Sequence, residues 1–202
     1  MHFILGSQSP RRKEILGYFD IPFEQISPDY NEDSFPFQGD PASYVQTLAI
    51  GKGESLQKHF PNALILTADT IVYREGKIYG KPKNKVEAVE NLMQLVGKWH
   101  SVFTGVNFSF QGEQFSAVEE TKVLFNSLTI EQIHLYQSKL HCVDKAGGYA
   151  IQGAGGLIVQ RIEGCYYNVM GLPINTVHQL LLRARIDLWD WIKENKREEL
   201  CQ

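Results

Sequence analysis

Phe3-Ile4-Leu5-Gly6-Ser7-Gln8-Ser9-Pro10-Arg11-Arg12-Lys13 changes conformation within a few residues. An apolar run leads into a turn of small residues. Ser9 is placed to cap a helix, and Pro10 fits the first helical position, where no N–H is needed. Strand, tight turn and helix start therefore follow one another. Ile15, Leu16 and Phe19 give the helix an apolar face, while Arg11, Arg12 and Lys13 crowd a first turn whose dipole favours acids. A polyanion explains the cations: backbone N–H groups, serine hydroxyls and guanidinium forks together hold phosphate oxygens. The alternative is a solvated basic surface turn.

With 202 residues and 43% hydrophobic content, the chain can bury one good core, or two small ones sharing an interface. A net charge of -3 argues against a nucleic-acid partner, so a cationic site must be local and its ligand small and anionic. Cys142, Cys165 and Cys201 show no C-x-x-C spacing, which supports neither a disulfide framework nor a zinc knuckle. A reducing cytoplasm is the default compartment. No apolar run approaches membrane length and no signal-peptide pattern precedes the first strand, so no membrane partner is expected.

Outward from the opening, Ile21–Ser27 reads as a second strand and 28–39 as a long acidic loop carrying Asp29, Glu32 and Asp33. Asp40-Pro41 opens a helix with an apolar stripe of Val45, Leu48, Ala49 and Leu56. Lys52 falls inside that stripe. Either its ammonium meets a buried anion, or its stem snorkels past the edge of the core, which is the commoner outcome. Ala63–Ala68 is a nearly continuous apolar run, as in a strand buried on both faces, and Asp69-Thr70 interrupts it before Ile71-Val72-Tyr73. An ionised carboxylate there needs a cation or a metal, which makes Asp69 the strongest single pointer to chemistry. A structural Asp bonded to nearby backbone is the alternative.

Arg74–Lys77 forms a hairpin turn, and in Gly80-Lys81-Pro82 the flanking residues fix the backbone and so aim Lys81. Asn84 and Glu87 box the start of a helix through Val86, Val89, Leu92, Met93 and Val96, closed by Gly97. From His100 to Phe110 the period is two. A turn at Gln111-Gly112 leads to a partner strand through Val118–Phe125, making a long antiparallel hairpin. Thr129 and Gln132 start a helix with Ile133, Leu135 and Tyr136. Residues 144–156 form a glycine-dense loop, Gly156–Ile162 a strand, and Tyr166–Val169 a segment that pairs back on it. Gly171-Leu172-Pro173 introduces the last core helix, with Val177, Leu180, Leu181 and Ala184 on its buried face. No linker divides the chain. A single domain over 1–202 is expected, with about 187–202 as an extra C-terminal helical tail. Gly51-Lys52 lacks the remaining P-loop residues, and Gly153 with Gly155 precedes a strand, opposite to a dinucleotide fingerprint.

Arg11-Arg12, Asp69-Thr70, Gly80-Lys81-Pro82 and Asp144–Gly153, with Glu32 and Lys52, are the parts needed for metal-assisted hydrolysis of a phosphoanhydride. The segments Ser7-x-Ser9-Pro10-Arg11-Arg12, Thr67-Ala68-Asp69-Thr70-Ile71-Val72, Gly80-Lys81-Pro82, Thr104-Gly105-Val106, Asp144-Lys145-Ala146-Gly147-Gly148-Tyr149-x-Ile151-Gln152-Gly153 and Gly171-Leu172-Pro173-Ile174 resemble the Maf family of nucleoside triphosphate pyrophosphatases. They occur in family order over nearly the whole chain.

The resemblance implies an α/β fold like that of inosine triphosphate pyrophosphatases, with a long mixed twisted sheet, flanking helices and two lobes around a nucleotide cleft. It implies hydrolysis between the α and β phosphates, with Mg²⁺ or Mn²⁺ as the divalent cofactor and a second copy of the chain as a homodimer partner. Asp69 matches the family's proton acceptor and Glu32 the acid that joins it in metal coordination, with Asp33 or Asp29 as substitutes. Ser7, Arg12, Lys52 and Lys81 would bind phosphates. Arg11, Thr70 and Gln152 match the specificity residues of the branch that hydrolyses dTTP and UTP, whereas another branch prefers 7-methyl-GTP. The competing readings are a nucleotide-binding regulator of septum formation and an inosine triphosphate-type purine pyrophosphatase.

Overall fold

Seven strands make one mixed sheet in the computed structural model, which describes residues 2–194. In chain order the elements are β1 (Phe3–Gly6), α1 (Pro10–Leu16), β2 (Glu24–Ile26), α2 (Pro41–Gln57), β3 (Leu64–Arg74), β4 (Lys77–Tyr79), α3 (Lys85–Leu95), β5 (Trp99–Phe110), β6 (Glu113–Phe125), α4 (Ile130–Leu140), β7 (Val159–Glu163), α5 (Tyr166–Met170) and α6 (Ile174–Leu181). Across the sheet the order is β2-β1-β3-β5-β6-β7, with β4 paired to β3. β1 runs parallel to β2 and β3, and every other pairing is antiparallel.

The apolar interior has two large cores and a small third one of Ile4, Leu56, Ala63 and Ile65. One large core gathers Phe3 and Leu5, Ile15 and Leu16, Leu64, Leu66 and Ala68, Val106 and Phe108 with α6. The other gathers Val72, Val102, Val123 and Phe125 with α3 and α4. β3 and β5 run through both. Between Ala68 and Val72 on β3, and between Val106 and Val102 on β5, lies a polar belt in which Thr70 faces Thr104 in register.

α2 crosses this belt at close range. A Cβ on Gly105 would stand 2.3 Å from the Val45 carbonyl oxygen, so only glycine lets helix and strand meet there. The Thr67 hydroxyl, donating to the Ala49 carbonyl at 2.7 Å, fixes the helix on the sheet. The stripe read from the sequence is buried throughout, and Lys52 is buried with it.

Several local expectations need correction. Residues Gly153–Ile158 form a 3-10 helix rather than the start of a strand, so β7 begins only at Val159. Tyr166–Met170 does not pair back but forms α5. The buried Asn168 amide donates to the carbonyls of Val102 and Glu119 and to Thr121 Oγ1, and Gly171 at φ 103° ends the helix. Gly171 thus closes one helix before Pro173 opens another. On α3 the buried residues are Ala88, Asn91, Leu92 and Leu95, while Val86 and Met93 are exposed; on α4 Leu135 is exposed. Over its described part, the tail is a single 3-10 turn, Leu188–Trp191, followed by Ile192 bridging to Phe19. The remainder of the expected tail helix, 195–202, lies outside the described residues.

Candidate active site

Four of the charged residues singled out by the sequence, Arg12, Glu32, Lys52 and Asp69, meet at the polar belt. Lys52, delivered by α2, places Nζ 2.5 Å from Asp69 Oδ1 and 2.8 Å from Glu32 Oε1. The two carboxylates differ in setting: the Asp69 side chain is 9% exposed and that of Glu32 55%. The buried lysine does not snorkel. An anion replaces its lost hydration, as burial of a charge requires. Of the acids in the 28–39 loop, Glu32 is the one paired with Lys52, and no ion pair joins Asp29 or Asp33 among the described residues. The loop is held by Tyr30, whose ring lies where a Cβ on Gly51 would be, and by Phe35 and Phe37 against the Tyr44 ring.

Arg12 lies beside this ion cluster with three of its five N–H donors engaged. Nε donates to the Gly171 carbonyl at 2.7 Å, Nη1 to Ser7 Oγ at 3.2 Å and Nη2 to Thr70 Oγ1 at 3.0 Å. Ser7 is buried and also accepts from the Ser9 N–H. Thr70 pairs with Thr104 at 2.9 Å, and Thr104 donates to the Asn168 carbonyl, so the hydroxyl protons run in one direction away from Arg12. Burial lowers the Arg12 pKa, with Asp69 pulling it back; an arginine so placed remains charged.

Arg11 points elsewhere. Burial lowers its pKa too, but the opposing carboxylate is Asp144. Burial acts to raise the pKa of Asp144, yet its hydrogen bond from Lys145 and the nearby cations hold it below the ordinary carboxylate value. Gln152, half-buried at the end of the glycine loop, donates Nε2 to both oxygens of Glu14, at 3.3 and 3.4 Å. Arg11 and Glu14 are one turn apart on α1, so the short helix presents both towards the glycine loop. Thr70 bonds into the Arg12 web, and no hydrogen bond ties it to Arg11 or Gln152 among the described residues. Lys81 is exposed and makes no ion pair among them, although its segment is tied to the glycine loop by Gly147 N–H donating to the Gly80 carbonyl at 3.0 Å.

Two side chains and one carbonyl were not assigned from the sequence. Thr104 was legible as a hydroxyl on the inward face of a period-two strand. Glu14 had no local signal, because its partner is Gln152, far along the chain. The Gly171 carbonyl opens the Gly171-Leu172-Pro173-Ile174 segment, where no side chain signals its bond to Arg12. Two surface recesses, about 440 Å³ beside Tyr79 and Glu87 and about 630 Å³ beside Trp99 and Lys122, contain none of the site residues.

No cluster of three or more His, Cys, Asp or Glu that could hold a metal occurs among the described residues. The donor chemistry nonetheless fits a hard divalent cation. Two carboxylates converge on one positive centre, the Lys52 ammonium, and Mg²⁺ is commonly held by one or two carboxylates plus substrate phosphates. No helix among the described residues is long and apolar enough to cross a membrane.

The sequence profile described as Maf-like protein matches residues 2–184. A dTTP/UTP pyrophosphatase of Chlamydia caviae is 50% identical over 190 residues, covering 94% of this chain and 97% of that protein. A dTTP/UTP pyrophosphatase of Latilactobacillus sakei subsp. sakei is 42% identical over 179 residues, covering 89% and 98%. The solved structure of the Staphylococcus aureus Ham1 protein aligns with 95% of this chain and 94% of its own at 13% identity and a TM-score of 0.46, a distant likeness. A profile match from residue 2 to residue 184, joined to half-identity along nearly all of a relative, establishes that this chain belongs to the Maf-like protein family.

Proposed function

We propose that the protein is a nucleoside triphosphate pyrophosphatase that hydrolyses the α–β phosphoanhydride of dTTP and UTP, giving the nucleoside monophosphate and pyrophosphate. The observation that carries this reading is the 50% identity, over 94% of the chain, to a protein named dTTP/UTP pyrophosphatase. The buried ion cluster supports it.

In this reading Asp69 accepts a proton from the attacking water. The strand holds the carboxylate in place, and its burial limits competing water. Lys52 orients Asp69 until substrate arrives and then offsets phosphate charge, with Lys81 supplying a second, freely placed ammonium from the rim. Arg12, pinned by the Gly171 carbonyl and Thr70, faces the negative charge that grows on the leaving pyrophosphate, and Ser7 Oγ has a proton left to donate to a phosphate oxygen. Glu32 and Asp69 would hold the divalent cation, Mg²⁺ or Mn²⁺, which supplies Lewis-acid charge neutralisation at the phosphates. Arg11, Thr70 and Gln152 set specificity: Arg11 and Gln152 line the base side, and Thr70 holds Arg12 at the phosphate side. The same reading places the enzyme in the cytoplasm, as one domain and as a homodimer.

Pyrophosphate release from dTTP, UTP, CTP, 7-methyl-GTP and ITP, with Mg²⁺ or Mn²⁺, tests it. The expected result is preferential turnover of dTTP and UTP that falls about 10³-fold in Asp69→Asn. Preference for 7-methyl-GTP or ITP would overturn the specificity assignment, and no turnover of any nucleotide would overturn the enzymatic one.

A further inference from the structure

Glu14 lies outside both the Lys52 cluster and the Arg12 web, yet it holds two partners at once. Its Oε1 accepts the Tyr18 hydroxyl at 3.0 Å, and both of its oxygens accept the Gln152 amide. Tyr18 in turn meets the Tyr167 ring edge-on, with centroids 6.2 Å apart, so the carboxylate is braced from α5 as well as from α1.

The chemistry of this contact is asymmetric. A carboxylate can only accept, whereas a primary amide has one donor end and one acceptor end. Pairing with Glu14 therefore commits Nε2 of Gln152 to the helix and leaves Oε1 as the end available to a ligand. No protein donor bonds Oε1 among the described residues. An isolated glutamine could present either end, and its selectivity between a donor and an acceptor on the ligand would average out.

We propose that Glu14 is a positioning residue for base selection. By accepting the Gln152 N–H it makes Gln152 present a carbonyl oxygen to the nucleobase. That oxygen matches the imide N3–H of uracil or thymine and opposes the lone pair on N3 of cytosine. The inference rests on the reading of Gln152 as a base-contacting residue. Because Gln152 is half-buried and Glu14 exposed, water competes at this contact, and the discrimination gained is about tenfold rather than the far larger factors of a sealed polar site.

The test is the ratio of kcat/KM for UTP to that for CTP, measured on the full chain with Mg²⁺. Glu14→Gln keeps the shape and the bond from Tyr18 but can accept or donate, which frees the Gln152 amide to turn. The expected result is a fall of about tenfold in the UTP preference of Glu14→Gln, carried mainly by KM. Gln152→Ala should lose at least as much, and adding Glu14→Gln to it should change the ratio no further. A ratio within twofold of the parent in Glu14→Gln, with collapse in Gln152→Ala, would overturn the role of Glu14 and leave that of Gln152 standing. A further loss in the double variant would also overturn it, since Glu14 would then act without Gln152. An unchanged ratio in both single variants would overturn the reading of Gln152 and this inference with it.

Discussion

Lys52 and Lys145 each pair with a carboxylate, Asp69 and Asp144, but the first pair is sealed and the second half open. Side-chain exposure is 11% for Lys52 and 9% for Asp69, against 19% for Lys145 and 62% for Asp144. A sealed pair cannot lose one member cheaply, because the charge left behind has no water to turn to. An open pair can, because solvent substitutes. The sealed pair therefore constrains its own composition, while the open rim around Asp144 and the Glu14–Gln152 contact tolerates change.

This contrast fails or sharpens on stability measurements. Lys52→Met should lower the unfolding free energy by about 3 kcal/mol, since Asp69 is left buried without its cation, and Lys52→Met with Asp69→Asn should recover most of that loss. Equal losses in the single and double variants, read from urea melts, would mean that the pair is not energetically sealed.

The next effect concerns what supports the rim. His100 is buried against Phe125 and Tyr149, its Nε2 is 3.0 Å from the Tyr149 hydroxyl, and burial pushes its pKa down to about 4. Tyr149 anchors the glycine loop that carries Gln152. With the folded pKa below the ordinary value near 6.5, the unfolded chain takes up the proton first. Stability is therefore full above about pH 6.5 and lost as pH falls towards 4. Between pH 7.5 and 5 the loss is about 2 kcal/mol, and His100→Phe should remove that slope in melts taken across the range. The smallest effect is at the rim itself. Gln152→Ala should leave stability within about 0.5 kcal/mol of the parent, whatever it does to base preference.

Asp69 was legible in the sequence because a carboxylate inside an apolar run contradicts its surroundings. Lys52 was half legible: its place in a buried stripe could be seen, but not whether an anion waited there. The family resemblance points to Glu32 and leaves Asp29 and Asp33 open; that Glu32 is the one paired with Lys52 follows from how Tyr30 seats against Gly51 and how Phe35 and Phe37 pack on Tyr44, which no periodicity encodes. The Arg12 acceptor on Gly171 is 159 residues away in the chain, and such pairings leave no local trace. α5 misled for a similar reason. Tyr166-Tyr167-Asn168-Val169 has the composition of a strand, but long-range bonds from the Asn168 amide and the left-handed Gly171 make it a helix. Lys81, aimed by glycine and proline, is exposed and makes no ion pair among the described residues.

The continuous strands have a thermodynamic consequence. β5 and β6 pair residue for residue from Trp99 with Leu124 to Phe110 with Glu113, and in doing so pass from one apolar core into the other. Neither half can melt without stripping hydrogen bonds from strands the other half still holds. The ladder therefore couples the two halves, so that loss of either core is expected to weaken the other and the polar belt at their junction with it.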